Sequence, residues 1–179
     1  MKRLFAVTLL TIAVTLLPIA MAACASADPY PLLPGGSSWA PTTIGTPVRG
    51  VALYVQPRPG DQVELVSAEP IGTLSGAEVR FYFSKPVISA DGTRTIGEDL
   101  QPLGGASVSV DPNASAGPEN AVGVVAEITP RTAGTFSLTG VRLHFRLNGG
   151  REQAKEETGP FLTVCADNLA PVDCAPPPD

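Results

Sequence analysis

The stretch Val141-Arg142-Leu143-His144-Phe145-Arg146-Leu147 alternates apolar and charged side chains without a break. A period of two sends successive side chains to opposite faces of an extended strand, so this run predicts a strand with one greasy and one charged face. Ala77, Val79, Phe81 and Phe83 repeat the pattern against Glu78, Arg80 and Tyr82. Outward from these two, shorter β-branched or alternating runs predict strands at Arg49–Val55, Gln62–Ala68, Pro86–Ser89, Arg94–Gly97, Ala106–Val110, Val122–Thr129, Thr135–Thr139 and Pro160–Val164. Asn148-Gly149 after Leu147 and Asp91-Gly92 between two of the shorter runs are dipeptides that suit tight hairpin turns. No segment carries a sustained 3.6-residue period, and Arg151–Glu157 reads as at most one or two exposed turns.

Seven to nine short strands over about 120 residues, punctuated by turn residues, predict an all-β chain. The expected form is an antiparallel immunoglobulin-like β-sandwich, with a small β-barrel as the alternative. The segment Val79-Arg80-Phe81-Tyr82-Phe83-Ser84-Lys85-Pro86-Val87 resembles the strand-then-proline segment of bacterial immunoglobulin-like domains. That resemblance implies the same sandwich.

The two ends differ from this body. Lys2 and Arg3 precede an apolar stretch from Leu4 to Ala20, followed by Met21-Ala22-Ala23-Cys24. A basic start, a greasy segment and small residues form an export signal. With a cysteine at the cut, the arrangement resembles the lipobox of bacterial lipoproteins. It implies removal of residues 1–23 and a mature chain starting at Cys24 with lipid on its sulfur. Two other readings stay open: ordinary cleavage after Ala25-Ser26-Ala27, which frees the protein, and retention of the 20-residue apolar stretch Leu4–Ala23 as an anchor. Residues 24–48 are rich in Pro, Gly, Ser and Thr, and are expected to be a lipidated N-terminus and tether reaching roughly 25–30 Å as a flexible coil. Within it, Trp39 reads as a peg docked on the domain or as a partner contact. The domain is expected over 49–174, and the Pro-rich 175–179 as a frayed tail.

Of the three cysteines, Cys165 and Cys174 remain as a pair if Cys24 is acylated, and in an exported chain such a pair is expected to form a disulfide. Without residues 1–23 the chain has 10 basic and 17 acidic residues, a net charge of −7, which argues against nucleic acid as a partner. Membrane contact is then expected through the lipid, at the outer face of the cytoplasmic membrane.

Catalytic and metal patterns are sparse. His144 is the single histidine, and Thr73 stands where a Gly-x-Ser-x-Gly elbow around Ser75 needs its first glycine. One imidazole, and no methionine after Met21, make a copper site untenable and imply no cofactor. Asp91, Glu98 and Asp99, and Glu152, Glu156 and Glu157, are acidic groups expected to be solvated loop charge. The outward stripe Arg142, His144 and Arg146 is the candidate binding face, a local cationic ridge suited to an envelope protein or a carboxylate-bearing cell-wall polymer. The function expected is therefore a membrane-anchored, non-enzymatic binding or accessory module. The alternatives are a freely secreted domain and an exported hydrolase using carboxylates or His144.

Overall fold

In the computed structural model the described residues are 32–85, 87–88, 94–95, 97, 99–114, 117 and 120–167. They form twelve strands: β1 (Leu32–Pro34), β2 (Ser38–Thr42), β3 (Val48–Val55), β4 (Gln62–Thr73), β5 (Ala77–Ser84), β6 (Val87–Ile88), β7 (Arg94–Thr95), β8 (Gln101–Pro102), β9 (Ala106–Ser109), β10 (Val122–Pro130), β11 (Gly134–Leu147) and β12 (Glu152–Ala166). One sheet runs β1-β3-β10-β5-β8 and the other β2-β12-β11-β4-β9, while β6 and β7 pair as a separate hairpin. We call the first two sheet A and sheet B.

The alternation that announced β5 and β11 now has its cause. Val79, Phe81 and Phe83 of β5, with Leu53, Val124 and Ile128, meet Leu65, Val141, Leu143, Phe145 and Leu162 of sheet B in one apolar cluster. Gly50 of sheet A lies so close to Leu162 that a Cβ there would stand 3.2 Å from its Cδ1. Two separate sheets packed face to face are an immunoglobulin-like β-sandwich in architecture, and the barrel alternative is excluded by their separate hydrogen-bonded orders.

Several expectations need correction. The count of seven to nine strands is too low, because β1, β2 and β8 are short and proline-bearing and offer no period to read. The sandwich is not wholly antiparallel: β2 runs parallel to β12, with Trp39 opposite Thr163. The tether expected over 24–48 is therefore already strand from Leu32, where β1 pairs with the far end of β3. Arg151–Glu157 is not helical turn but the start of β12, paired residue for residue with β11. Both faces of that start are exposed or half-exposed, which is why no apolar alternation marks it. The two strands expected at Thr135–Thr139 and Val141–Leu147 are one, β11, interrupted by an irregularity between Leu138 and Gly140. Opposite it Gly72 (φ 151°) approaches so closely that a Cβ would lie 2.0 Å from the Ser137 carbonyl oxygen.

The turn expected at Asn148-Gly149 joins β11 to β12, with φ of 49° and 69° at those residues. Two positive φ values in succession suit the tight hairpin turns that match strand twist. The segments 1–23 and 175–179, Cys24, Cys174 and the Asp91-Gly92 turn lie outside the described residues.

Several margins of the sheets share a device. Pro34 stands in β1, Pro41 in β2 and Pro102 in β8. Pro70 occupies the part of β4 beyond Leu65, where β9 no longer covers it, and Pro160 the part of β12 before Leu162, where β2 has not begun. A residue without an N–H withholds a donor from any strand seeking to pair there. Among the described residues some margins lack it: β9, Val48–Ala52 of β3 beyond the reach of β1, Glu152–Gly159 of β12 beyond the reach of β2, and part of β5. β8 covers β5 only at Tyr82 and Phe83, leaving Ala77-Glu78-Val79-Arg80-Phe81 open and free of proline.

Candidate functional site

Three features of the sandwich carry chemistry, and the first is the outer face of sheet B. Arg142, His144 and Arg146 do share that face, opposite Leu143 and Phe145. Neighbouring strands place Glu69 and Glu156 directly across from Arg142, and Glu64 and Glu152 across from Arg146. Arg142 donates to Glu69 (3.4 Å) and Glu156 (3.0 Å). Arg146 donates to both oxygens of Glu64 (3.1 and 3.3 Å) and to Glu152 (3.4 Å). His144 lies between them, its Nδ1 3.2 Å from Glu152 and its Nε2 3.4 Å from Glu69.

What the sequence presented as a cationic ridge is thus an interleaved row of four carboxylates, two guanidiniums and an imidazole. With the imidazole neutral, the row is net negative. A carboxylate-bearing polymer would meet guanidiniums that already have carboxylate partners. Each pair is substantially exposed, so each is worth at most about 1 kcal/mol. The row pins β4, β11 and β12 in register more than it strengthens the fold.

Sequence reasoning missed the second feature, on the outer face of sheet A. Glu127 is buried in the central strand β10. Arg49 of β3 reaches it through Nε (2.7 Å) and Nη2 (2.6 Å), and the Tyr82 hydroxyl of β5 donates to its other oxygen (3.2 Å). The Arg49 guanidinium also lies 5.8 Å from the centre of the Tyr82 ring. The signal available was a lone carboxylate in the otherwise uncharged run Val122-Gly123-Val124-Val125-Ala126-Glu127-Ile128. Beside this cluster Glu78 takes Arg131 and Arg80, the latter at 2.6 Å. The hydrogen bond from Arg131, then that from Arg80, holds the Glu78 carboxyl below the usual carboxylate range, and Glu78 in turn raises Arg80.

The third feature is an open groove of about 530 Å³ between the two sheets, lined by Val66 and Ala68 of β4, Val79 and Phe81 of β5, and Leu103. Its size and apolar lining fall in the range of ligand-holding clefts. It opens beside the uncovered margin of β5.

Cys165 is buried at the end of β12, with Sγ 3.9 Å from the Thr135 hydroxyl. Asp99 is exposed, while Asp91 and Glu98 lie outside the described residues. Glu152 and Glu156 face outward in the charged row, whereas Glu157 sits opposite Val141 on the other face of β12, so these three do not converge. Trp39 is 38% exposed and Ile44 46%, the two large apolar side chains most open to solvent among the described residues. Trp39 stands on β2, which is docked along β12 with Trp39 opposite Thr163, and its ring is left partly open to solvent.

No protein-family model and no curated protein matches this chain. Among solved structures, the chain is similar to the ASH / PapD-like domain of human CEP192 (PapD-like domain 7), at 9% sequence identity and a TM-score of 0.43, covering 94% of this chain and 100% of that one.

Proposed function

We propose that this chain is an exported lipoprotein, held by lipid on Cys24 at the outer face of the cytoplasmic membrane, and that its sandwich is a non-enzymatic binding module for an envelope protein or polymer. The observation that carries the reading is Met21-Ala22-Ala23-Cys24 behind the apolar stretch Leu4–Ala20. The fold adds a constraint on reach. With β1 starting at Leu32, only residues 25–31 separate the lipid-bearing position from the sandwich. That length of chain spans at most about 25 Å fully extended and roughly 15 Å as a flexible coil. The module would ride close to the headgroups rather than on a long stalk.

The groove beside β5 supports binding over catalysis as the role of the body. It joins apolar lining to an unpaired strand margin, whereas His144 stands on the face of sheet B with a carboxylate at each ring nitrogen. Export also accounts for Cys165 and Cys174, which we assign as a disulfide joining the end of β12 to the following segment. Intact mass with and without reductant reads that bond directly, as a gain of two hydrogens.

Detergent-phase partitioning of the wild type and of Cys24→Ser tests the anchor. The wild type is expected in the detergent phase and the variant in water, with the wild-type mass raised by its acyl chains. A wild type that partitions into water and begins at Asp28 refutes the lipid and establishes the secreted alternative.

A further inference from the structure

The open margin of β5 is complementary in charge to its own reverse. Centred on Val79, the five residues Ala77-Glu78-Val79-Arg80-Phe81 place an acid and a base symmetrically about an apolar middle. We infer that this margin pairs antiparallel with the same margin of a second copy of the chain, joining two sheets A into one across a twofold axis through Val79.

Charge complementarity identifies the partner. In that register Glu78 of each copy lies opposite Arg80 of the other, on the outer face where the two already pair within one chain, so the contact across the axis extends that pair into a row of four charges. Directly opposed unlike charges stabilise an antiparallel pair, and like charges oppose it. On the inner face Val79 meets Val79, and the small Ala77 meets the large Phe81. Two features of the fold fix the register. At one end β8 already occupies the margin, with Pro102 opposite Tyr82. At the other the chain turns away before Ala77, whose N–H is bonded to the Leu74 carbonyl while the Gly76 carbonyl accepts from Arg131. The stretch Ala77–Phe81 is thus the full length available on each copy, and a shift by one would set the charged residues against apolar ones.

The inward side chains of the second copy continue the inner face of sheet A over the mouth of the groove lined by Val66, Ala68 and Leu103. Several other margins resist the same pairing through their prolines, β9 through a length of four residues, and the uncovered start of β12 is not self-complementary, since Glu152, Glu156 and Glu157 face a single Lys155. The contact is isologous, so it closes at two. At about 17 Å of strand it is small beside the ~800 Å² per partner of a stable complex, so dimerisation is weak in dilute solution and favoured by crowding on a surface.

The test uses Val79→Cys in the full-length chain carrying Cys24→Ser, so that the outcome does not depend on the lipid. Directly opposed residues of an antiparallel pair have Cα atoms about 4.5–5.5 Å apart, within disulfide reach. Mild oxidation of the purified chain is expected to give a dimer linked through position 79 of each copy, identified by peptide mass. Ser75→Cys, off the axis, should give roughly fivefold less dimer or lower still. Adding Arg80→Glu to Val79→Cys, an exposed change that leaves the core untouched, should cut the linked product several-fold by setting acid against acid across the axis. The combined Glu78→Arg and Arg80→Glu swap should restore it. Failure of the Val79→Cys chain to link, or equal linking by Val79→Cys and Ser75→Cys, overturns the interface. So does a swap that leaves the Arg80→Glu defect uncorrected while circular dichroism shows the fold intact.

Discussion

Arg49→Met asks how much the buried cluster on sheet A depends on its cation. The Glu127 side chain is 7% exposed and that of Arg49 49%. Removing the cation leaves a carboxylate in the middle of a sheet with the Tyr82 hydroxyl as its remaining donor in the cluster. Fully buried pairs lose about 3–5 kcal/mol when one partner goes, and exposed pairs under about 1. A buried acid with a half-exposed base falls between, at about 2–3 kcal/mol. Tyr82→Phe, which deletes a single bond at 3.2 Å, should cost about 1 kcal/mol. The double change Arg49→Met with Glu127→Met removes both charges and keeps the volume. It is expected within about 1 kcal/mol of wild type, because the expense lies in the stranded carboxylate and not in the loss of the pair. Urea unfolding followed by circular dichroism gives the four free energies, and in melting temperature the single change should appear as a fall of about 8–10 °C. An Arg49→Met protein within about 0.5 kcal/mol of wild type, the range of an ordinary surface change, would refute the reasoning. So would a double variant less stable than Arg49→Met alone.

Glu78 supplies a test in pH. Its folded-state carboxyl is held below the usual range by Arg131 and Arg80, so its contribution is present above the unfolded value and is lost as pH falls through the lower folded one. Glu78→Gln should therefore be less stable than wild type near pH 6, with the gap closing below about pH 4 in a series of thermal melts. Adjacent residues of β11 give a contrast of faces: Leu143→Ala, at a fully buried site, should cost about 2–5 kcal/mol by urea unfolding, and Arg142→Ala, despite its two ion pairs, under about 1 kcal/mol.

The sandwich was legible where one face meets the core and the other meets water, as in β5 and β11, because only there does burial print a period of two. It was illegible in two opposite circumstances. β12 begins with both faces open to solvent, so Glu152-Gln153-Ala154-Lys155-Glu156-Glu157 carries no alternation. β1 and β2 are margin strands that tolerate proline, and their composition read as tether. For the sites, alternation correctly sent Arg142, His144 and Arg146 outward. It said nothing of what would face them, because Glu64 and Glu69 arrive from 82 and 73 positions away in sequence. Strand order is a property of the whole sheet, and no local pattern encodes it. The same distance hid Arg49, which lies 78 positions from the buried acid it neutralises.

The prolines along the margins of both sheets have a consequence for how this body behaves in a crowd. A β-protein with several receptive borders is a building block for fibrils, since each newcomer presents a fresh border to the next. Here Pro34, Pro41, Pro70, Pro102 and Pro160 make five borders poor templates, and the self-complementary seam of β5 is spent when it meets its own image. Growth through that seam has no second step, so there high local density yields couples rather than filaments.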